Sequence, residues 1–129
     1  MTTYTIDQEI KDVLWGTPMP IAVNIDSEMV LIHVKGACSL VVKDADLLQE
    51  KLPDSRSLAS HVRSTLVMAA TEAVGQMRQK ISSVEQLVKF TPEFSMLLKV
   101  KAAEGMAAVG LKISELEIHS IQRVDPASL

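Results

Sequence analysis

The chain has 129 residues, of which 47% are hydrophobic and 22% charged, with a formal net charge of −3. This composition is typical of one folded domain, and the scattered charges lack the basic stripe that binding to nucleic acid or anionic lipid requires. The single Cys38 excludes an internal disulfide and suits a reducing compartment. Residues 1–20 do not resemble a signal peptide, and no apolar run approaches the roughly 20 residues that span a bilayer.

The first third of the chain predicts β-strands. Residues 1–12 are polar and either fray or pair as a short edge strand, and a short strand is predicted near Val13–Trp15. The alternation of apolar residues predicts a second strand over Ile21–Ile25 and a long third one over Met29–Lys43. Gly36 inside the third strand predicts a kink. Turns are predicted where the alternation is interrupted, at Gly16, Pro18, Pro20 and Asp26-Ser27.

Two helices are predicted next. Asp44 is a favourable N-cap for a short helix that ends at Lys51. Ser57 is predicted to cap the main helix, which runs to about Lys80. The apolar residues of this helix recur every three or four positions and predict one buried face: Leu58, Val62, Leu66, Ala69, Ala70, Ala73, Val74, Met77 and Ile81.

Two further helices lead into a final strand. Ser82 and Glu85 have the form of a capping box for a short helix over Val84–Lys89. Thr91-Pro92-Glu93 then predicts the start of a helix that runs to Val109, with cap, proline and acid in their preferred positions.

Gly110 is placed to end that helix in the left-handed conformation. The alternation of the following residues predicts a strand, and its slips at Ser114-Glu115 and His119-Ser120 predict bulges or a change of neighbour. The predicted fold is therefore α+β, with a mainly antiparallel, bent sheet packed against the two long helices.

Several segments together resemble the SPFH (stomatin, prohibitin, flotillin) or band 7 domain. VKGACSLVVKDADLLQEKL resembles the family's strand that ends in a Val-x-Asp turn before a short helix, although Ala45 stands where many members have proline. SLASHVRSTLVMAATEAVGQM resembles the long central helix, and Thr91–Val124 resembles the helix, glycine and strand that close the domain. WGTPMPIAV is similar to a bacterial branch that is often labelled virion core protein-like.

The resemblance implies a non-enzymatic scaffold that self-associates and organises membrane-associated protein assemblies. Its partners would be further copies of itself and membrane-associated proteins, and its location would be cytoplasmic and peripheral to the inner membrane. Family members usually continue into a helical, often coiled-coil region, and many have an N-terminal membrane-attaching segment. We therefore expect residues 1–129 to be a single domain of a longer protein. The competing hypothesis is a small soluble enzyme whose active-site residues are distributed along the sequence.

The sequence predicts no catalytic, cofactor-binding or metal-ligating residue. A zinc site needs three or four converging ligands, and His33, His61 and His119 lie on separate predicted elements. His33 and His119 could meet only if their strands pair. Cys38 is predicted to be a buried, inert thiol. Asp44 and Asp46 are interpreted as favourable charges at a helix start rather than as a cation site.

Packing and association are predicted less directly. Met68, Met77, Met96 and Met106 are interpreted as core filling. Gly105 and its neighbouring alanines predict close approach of a second element, by default the main helix of the same chain. Strand edges invite pairing with another copy, and Met29–Val34 is neutral and β-prone enough to do so. The alternative is that helices or the N-terminal residues cover both edges.

Overall fold

A computed structural model describes residues 3–124, so residues 1, 2 and 125–129 of the predicted domain lie outside the described residues. The described part contains four strands and four α-helices: β1 (Glu9–Gly16), β2 (Ile21–Ile25), β3 (Glu28–Val42), α1 (Ala45–Lys51), α2 (Ser55–Met77), α3 (Val84–Lys89), α4 (Thr91–Ala107) and β4 (Leu111–Val124). A short 3-10 turn, Arg78–Lys80, follows α2. The predicted α+β class is confirmed.

The long strand β3 is the centre of the sheet. β1 and β2 lie end to end along one of its edges, and β4 pairs along the other, with every pairing antiparallel. The strand predicted near Val13–Trp15 is longer than expected, because Glu9 and Ile10 also pair with β3, with an irregularity between Ile10 and Val13. Asp26 and Ser27, both with positive φ, form the predicted tight turn between β2 and β3.

The slips in the alternation of β4 are bulges, as predicted. Ser114 and His119 are extra residues that have no register partner in β3. β3 is one continuous strand through Gly36, where a kink is predicted, and the irregularity beside Gly36 is the second bulge, which lies in β4. A Cβ atom on Gly36 would lie 1.9 Å from the carbonyl oxygen of Glu117, so glycine allows the two strands to approach here.

The helices cover one face of the sheet. The most extensive helix–sheet contacts are those of α2 with β1 and of α4 with β4. Every residue of the apolar stripe predicted for α2, through Ile81, is buried. The opposite face of the sheet is mixed and partly solvated, as is usual for an antiparallel sheet with one covered face.

The helix starts are predicted to within three residues, but three caps differ from expectation. Asp54, and not Ser57, is the N-cap of α2, and Ser57 is its capping-box partner, which lowers the pKa of Asp54. Ser83, one residue after the predicted Ser82, accepts the N–H of Gln86 to cap α3. α4 has Phe90 as its N-cap without a side-chain bond. Asp44 caps α1 as predicted, by accepting the N–H of Leu47 at 3.0 Å.

Gly110 joins α4 to β4 in the left-handed conformation, with a φ of +83°. Its carbonyl accepts hydrogen bonds from the N–H groups of Lys43 and Asp44, at 2.8 and 3.1 Å. A Cβ atom on Gly110 would lie 2.4 Å from the carbonyl oxygen of Asp44. Two features therefore disfavour any residue other than glycine at this position. The backbone conformation is left-handed, and the β3–α1 turn is too close for a side chain.

We expect Gly110→Ala to lower the free energy of unfolding by about 3 kcal/mol, because it adds a left-handed strain and a backbone clash. Gly75→Ala is the matched control: it lies inside α2 with open space around its Cβ position, and it should raise stability by roughly 0.5–1 kcal/mol. Denaturant unfolding followed by the fluorescence of Trp15, the only tryptophan and a buried one, measures both. Equal effects of the two substitutions would contradict this account of Gly110.

Candidate interaction surface

The three histidines lie apart, each with its own partner. Nδ1 of His33 is 2.9 Å from Oγ1 of Thr17, and Nε2 of His119 is 3.3 Å from a carboxylate oxygen of Glu117. Although β3 and β4 do pair, His33 lies opposite Gln122 rather than His119. Among residues 3–124, no group of three or more His, Cys, Asp or Glu side chains is placed to hold a metal ion.

His61 joins the two long helices by a hydrogen bond. Its Nε2 donates to the carbonyl oxygen of Gly105 across a distance of 3.0 Å, so the proton of a neutral ring is on Nε2. A Cβ atom on Gly105 would lie 2.8 Å from Cγ2 of Thr65, which allows α4 to approach α2 closely at this point. The element predicted to approach Gly105, the main helix, is confirmed.

Cys38 is fully buried in the central strand, as predicted. Burial raises the pKa of its thiol from 9.0 to about 11, and the charge of Lys99 offsets a part of that rise. The cation that acts on Cys38 is thus on α4. A thiol with this pKa is protonated at neutral pH and is a poor nucleophile.

The prediction that Met29–Val34 forms a free strand edge, able to pair with another copy, is wrong. Met29–Val34 belongs to β3, which has β2 on one side and β4 on the other. The outer edges of the sheet belong instead to β1, β2 and β4. On the β1 edge, Arg63 of α2 donates through Nε to the carbonyl oxygen of Leu14 at 3.0 Å, and Pro18 and Pro20 separate the two short strands.

Bulges and like charges on the β4 edge oppose the addition of another strand. Its two bulges break the regular spacing of the backbone groups. Glu115 and Glu117 place like charges close together, and a hydrogen bond to Glu117 together with its charge raises the pKa of Glu115. Strand edges with bulges and charges are a means by which natural sheets avoid edge-to-edge association, so neither edge is the best candidate for a contact.

The helix layer carries an exposed apolar surface. Met77 and Met106 fill the core as predicted, but that prediction is wrong for Met68 and Met96, whose exposed fractions are 66% and 70%. On the solvent side of α4, four apolar residues line up: Met96, Val100, Ala103 and Ala107, all exposed. We call these four residues the α4 seam. The opposite side of α4 is buried through Phe94, Leu98, Ala102 and Met106.

Two open hollows border the α4 seam. One, of about 430 Å³, lies where Ala103 and Ala107 approach Leu47, Leu111 and Ile113. The other, of about 330 Å³, lies where Met96, Leu97 and Val100 approach Met77. The groups whose pKa is shifted line neither hollow: Tyr4, Cys38, Asp54 and Glu115. The surfaces of both hollows are mainly apolar, although Lys43, Asp44, Lys99 and Lys112 also line the first one.

We expect the buried Cys38 thiol to resist a thiol-specific disulfide reagent at neutral pH until the protein unfolds. Its folded-state pKa of about 11 lies above the unfolded value of 9.0, so its contribution to stability is fully present below pH 9 and is lost towards pH 11. The loss should reach up to about 2 kcal/mol, and Cys38→Ala should remove that component of the pH dependence. Denaturant unfolding between pH 8 and 11 of both proteins measures it, and an identical slope in the variant would contradict the assignment.

Comparison with known proteins identifies the family. The family model of the SPFH domain-Band 7 family matches residues 2–126, which is nearly the whole chain. The comparison with curated proteins found no match. Within residues 3–124, none of the helices has both the length and the apolar character needed to cross a bilayer. The finer resemblance to the virion core protein-like branch stays a prediction. Because the family model covers the described fold from β1 to β4, the chain belongs to the SPFH domain–Band 7 family.

Proposed function

We propose that this chain is a non-enzymatic scaffold domain that self-associates and takes part in organising membrane-associated protein assemblies. Membership of the SPFH domain–Band 7 family is consistent with a membrane-associated scaffold role. The observation that supports self-association is the α4 seam, because this exposed apolar stripe, opposite the buried side of α4, gives the helix a second surface to bury.

The size of the seam predicts a weak contact. Burying Met96 and Val100 contributes about 1.5–3 kcal/mol for each side chain, while association costs about 4–15 kcal/mol in lost freedom of motion. A contact of this kind belongs to the small, transient class of interfaces. We therefore expect a dissociation constant for the dimer of about 10 μM to about 1 mM rather than a permanent dimer.

The non-enzymatic role is supported by where the shifted titratable groups lie. A catalytic site brings such groups together in a recess. Here Tyr4 and Asp54 are neighbours, whereas Cys38 is buried in β3 and Glu115 is exposed on β4. Tyr4 donates to the carbonyl oxygen of Leu52, and Asp54 caps α2, so both have structural tasks. The hollows beside α4 are lined mainly by aliphatic groups.

The proposed membrane association is indirect and cytoplasmic, peripheral to the inner membrane, through membrane-associated protein partners. The formal charge of −3 and the absence of a basic stripe in the sequence disfavour adsorption to anionic headgroups.

Sedimentation velocity tests self-association. Across about 1 μM to about 1 mM, the weight-average sedimentation coefficient should rise reversibly with concentration, because the expected dissociation constant lies inside that range. A monomer value throughout the range would contradict the proposal.

Vesicle flotation tests how the chain reaches a membrane. The chain should stay at the bottom of the gradient with protein-free vesicles of anionic phospholipid, because it lacks a polybasic surface in its sequence. It should float with membranes that retain their native proteins. Flotation with the protein-free vesicles at physiological salt would assign a direct lipid contact and would overturn the indirect route.

A further inference from the structure

We infer that two copies of this chain pair through α4, with the two helices side by side and parallel, in contact along the α4 seam. This inference rests on the self-association proposed above and assigns to it a surface, an orientation and a register. The partner is a second copy of the same chain.

The first step is the character of α4. Its buried side is fully apolar, with Phe94, Leu98, Ala102 and Met106 all inaccessible to solvent. Its outward side carries an apolar stripe, the α4 seam, in which Met96 and Val100 keep 70% and 67% of their surface in water. A surface helix of a globular protein normally presents charged and polar residues on that side. On α4 an apolar stripe instead runs between the exposed charged residues Lys99 and Glu104, and such a stripe is typical of a helix that packs on a second partner.

The second step is the spacing of the outward side. Met96, Val100, Ala103 and Ala107 are separated by four, three and four residues, which is the spacing of the d, a, d and a positions of a heptad. This stripe is the seam by which helices pair in coiled coils. A β-branched residue at an a position, here Val100, favours two-stranded pairing, and the alanines allow the second half of the seam to approach closely.

The third step is the charge beside the seam. Lys99 precedes the a position and Glu104 follows the d position, so they occupy positions g and e. In a parallel pair, a g residue faces the e residue that lies five positions further along the partner helix, and Glu104 is five positions after Lys99. A two-fold axis then produces two Lys–Glu pairs across one contact.

The same charges disfavour the antiparallel arrangement. Antiparallel helices place g beside g and e beside e, so Lys99 would face the Met106 side of the partner helix and Glu104 the Leu97 side, without an opposite charge. Both side chains are exposed, and among residues 3–124 neither takes part in an ion pair within the chain. They are therefore available to a second copy.

The fourth step is the cost of pairing. Two isolated helices with a seam of this length would not pair, because the free-energy cost of forming the helices exceeds the stabilisation that so few contacts provide. In this chain α4 is already held by its packing on α2 and β4, and the hydrogen bond between His61 and Gly105 fixes it further. Preorganisation of this kind removes the ordering cost and leaves a weak but measurable contact.

Val100→Glu is the primary test, and Met68→Glu is its matched control. Val100 and Met68 are equally exposed, at 67% and 66%, but Met68 lies on α2, outside the seam. Sedimentation should show the dimer dissociation constant raised about 100-fold or more by Val100→Glu and changed less than about twofold by Met68→Glu. Because both sites are on the surface, both variants should unfold at the wild-type denaturant concentration, as followed by Trp15 fluorescence.

A charge exchange tests the register. Lys99→Glu and Glu104→Lys should each weaken dimerisation by roughly two- to thirtyfold at low salt, since either change places like charges in both symmetric pairs. The double variant Lys99→Glu/Glu104→Lys should restore the wild-type affinity, because it exchanges the charges and keeps both pairs. Additive weakening in the double variant would overturn the register.

Disulfide trapping tests the orientation. In the parallel arrangement, Ala103→Cys should cross-link to itself far faster than the control Met68→Cys, because position 103 faces its own copy across the two-fold axis. An antiparallel pair would instead cross-link Ala103→Cys chains with Val100→Cys chains in a mixture, and that result would overturn the parallel arrangement. The native Cys38 is buried and does not compete.

The outcomes separate this inference from the proposed function. If the wild-type chain self-associates and Val100→Glu associates equally well, the α4 seam is not the contact, while the self-association stands. If the wild-type chain is a monomer at every concentration, the proposed self-association fails, and the inference fails with it.

Discussion

The carbonyl of Gly110 is the point on which the arrangement of the other elements depends. It accepts the N–H groups of both Lys43 and Asp44, and it thereby holds the end of α4 and the start of β4 against the end of β3 and the start of α1. The left-handed φ of Gly110 turns the chain from helix to strand within a few residues. Leu111 is then in register with Val42, and the pairing of β4 along β3 continues from there.

That joint also decides which side of α4 faces water. Once β4 is in register, α4 must return over the helix-covered face of the sheet, and Gly105 lets it lie close against Thr65 of α2. Phe94 and Leu98 then point into the core, and the α4 seam is left outside. The candidate contact surface is thus a consequence of the same glycine-dependent packing that stabilises the fold.

Local patterns in the sequence predict much of this fold, and the non-local pairings account for most of what they miss. The α2 stripe, the left-handed φ of Gly110 and the bulges at Ser114 and His119 each depend on a pattern within one segment, and all three are confirmed. The end of α4 is less exact, because the helix stops at Ala107 with Ala108 as its C-cap. The prediction of a free edge at Met29–Val34 is wrong because residues 31–34 pair with residues 121–124 of β4, which come roughly 90 residues later in the chain.

The caps of α2 and α3 are shifted because several adjacent residues can all accept a backbone N–H. Asp54 and Ser57 form a reciprocal pair, and only the backbone conformation at Asp54 decides which of them is the cap. The prediction for Met96 is wrong because apolar character alone does not say which side of a helix a residue occupies. The sequence nonetheless contains the signal, since Met96 and Val100 are off the stripe of Phe94 and Leu98 and form a second apolar stripe on α4.

A weak, closed contact has a particular consequence for a scaffold. A two-fold pair buries the α4 seam of both copies, so no further copy can bind through this surface. An assembly larger than a dimer therefore needs a second, different contact. The bulged and charged edges of the sheet are poorly suited to supply it. A contact whose dissociation constant lies in the micromolar to millimolar range forms when copies are held together at an effective concentration of about 1 mM. The same contact is largely dissociated when the copies are dilute. The α4 seam would therefore respond to co-localisation: copies brought together by membrane-associated partners would pair, and dispersed copies would separate.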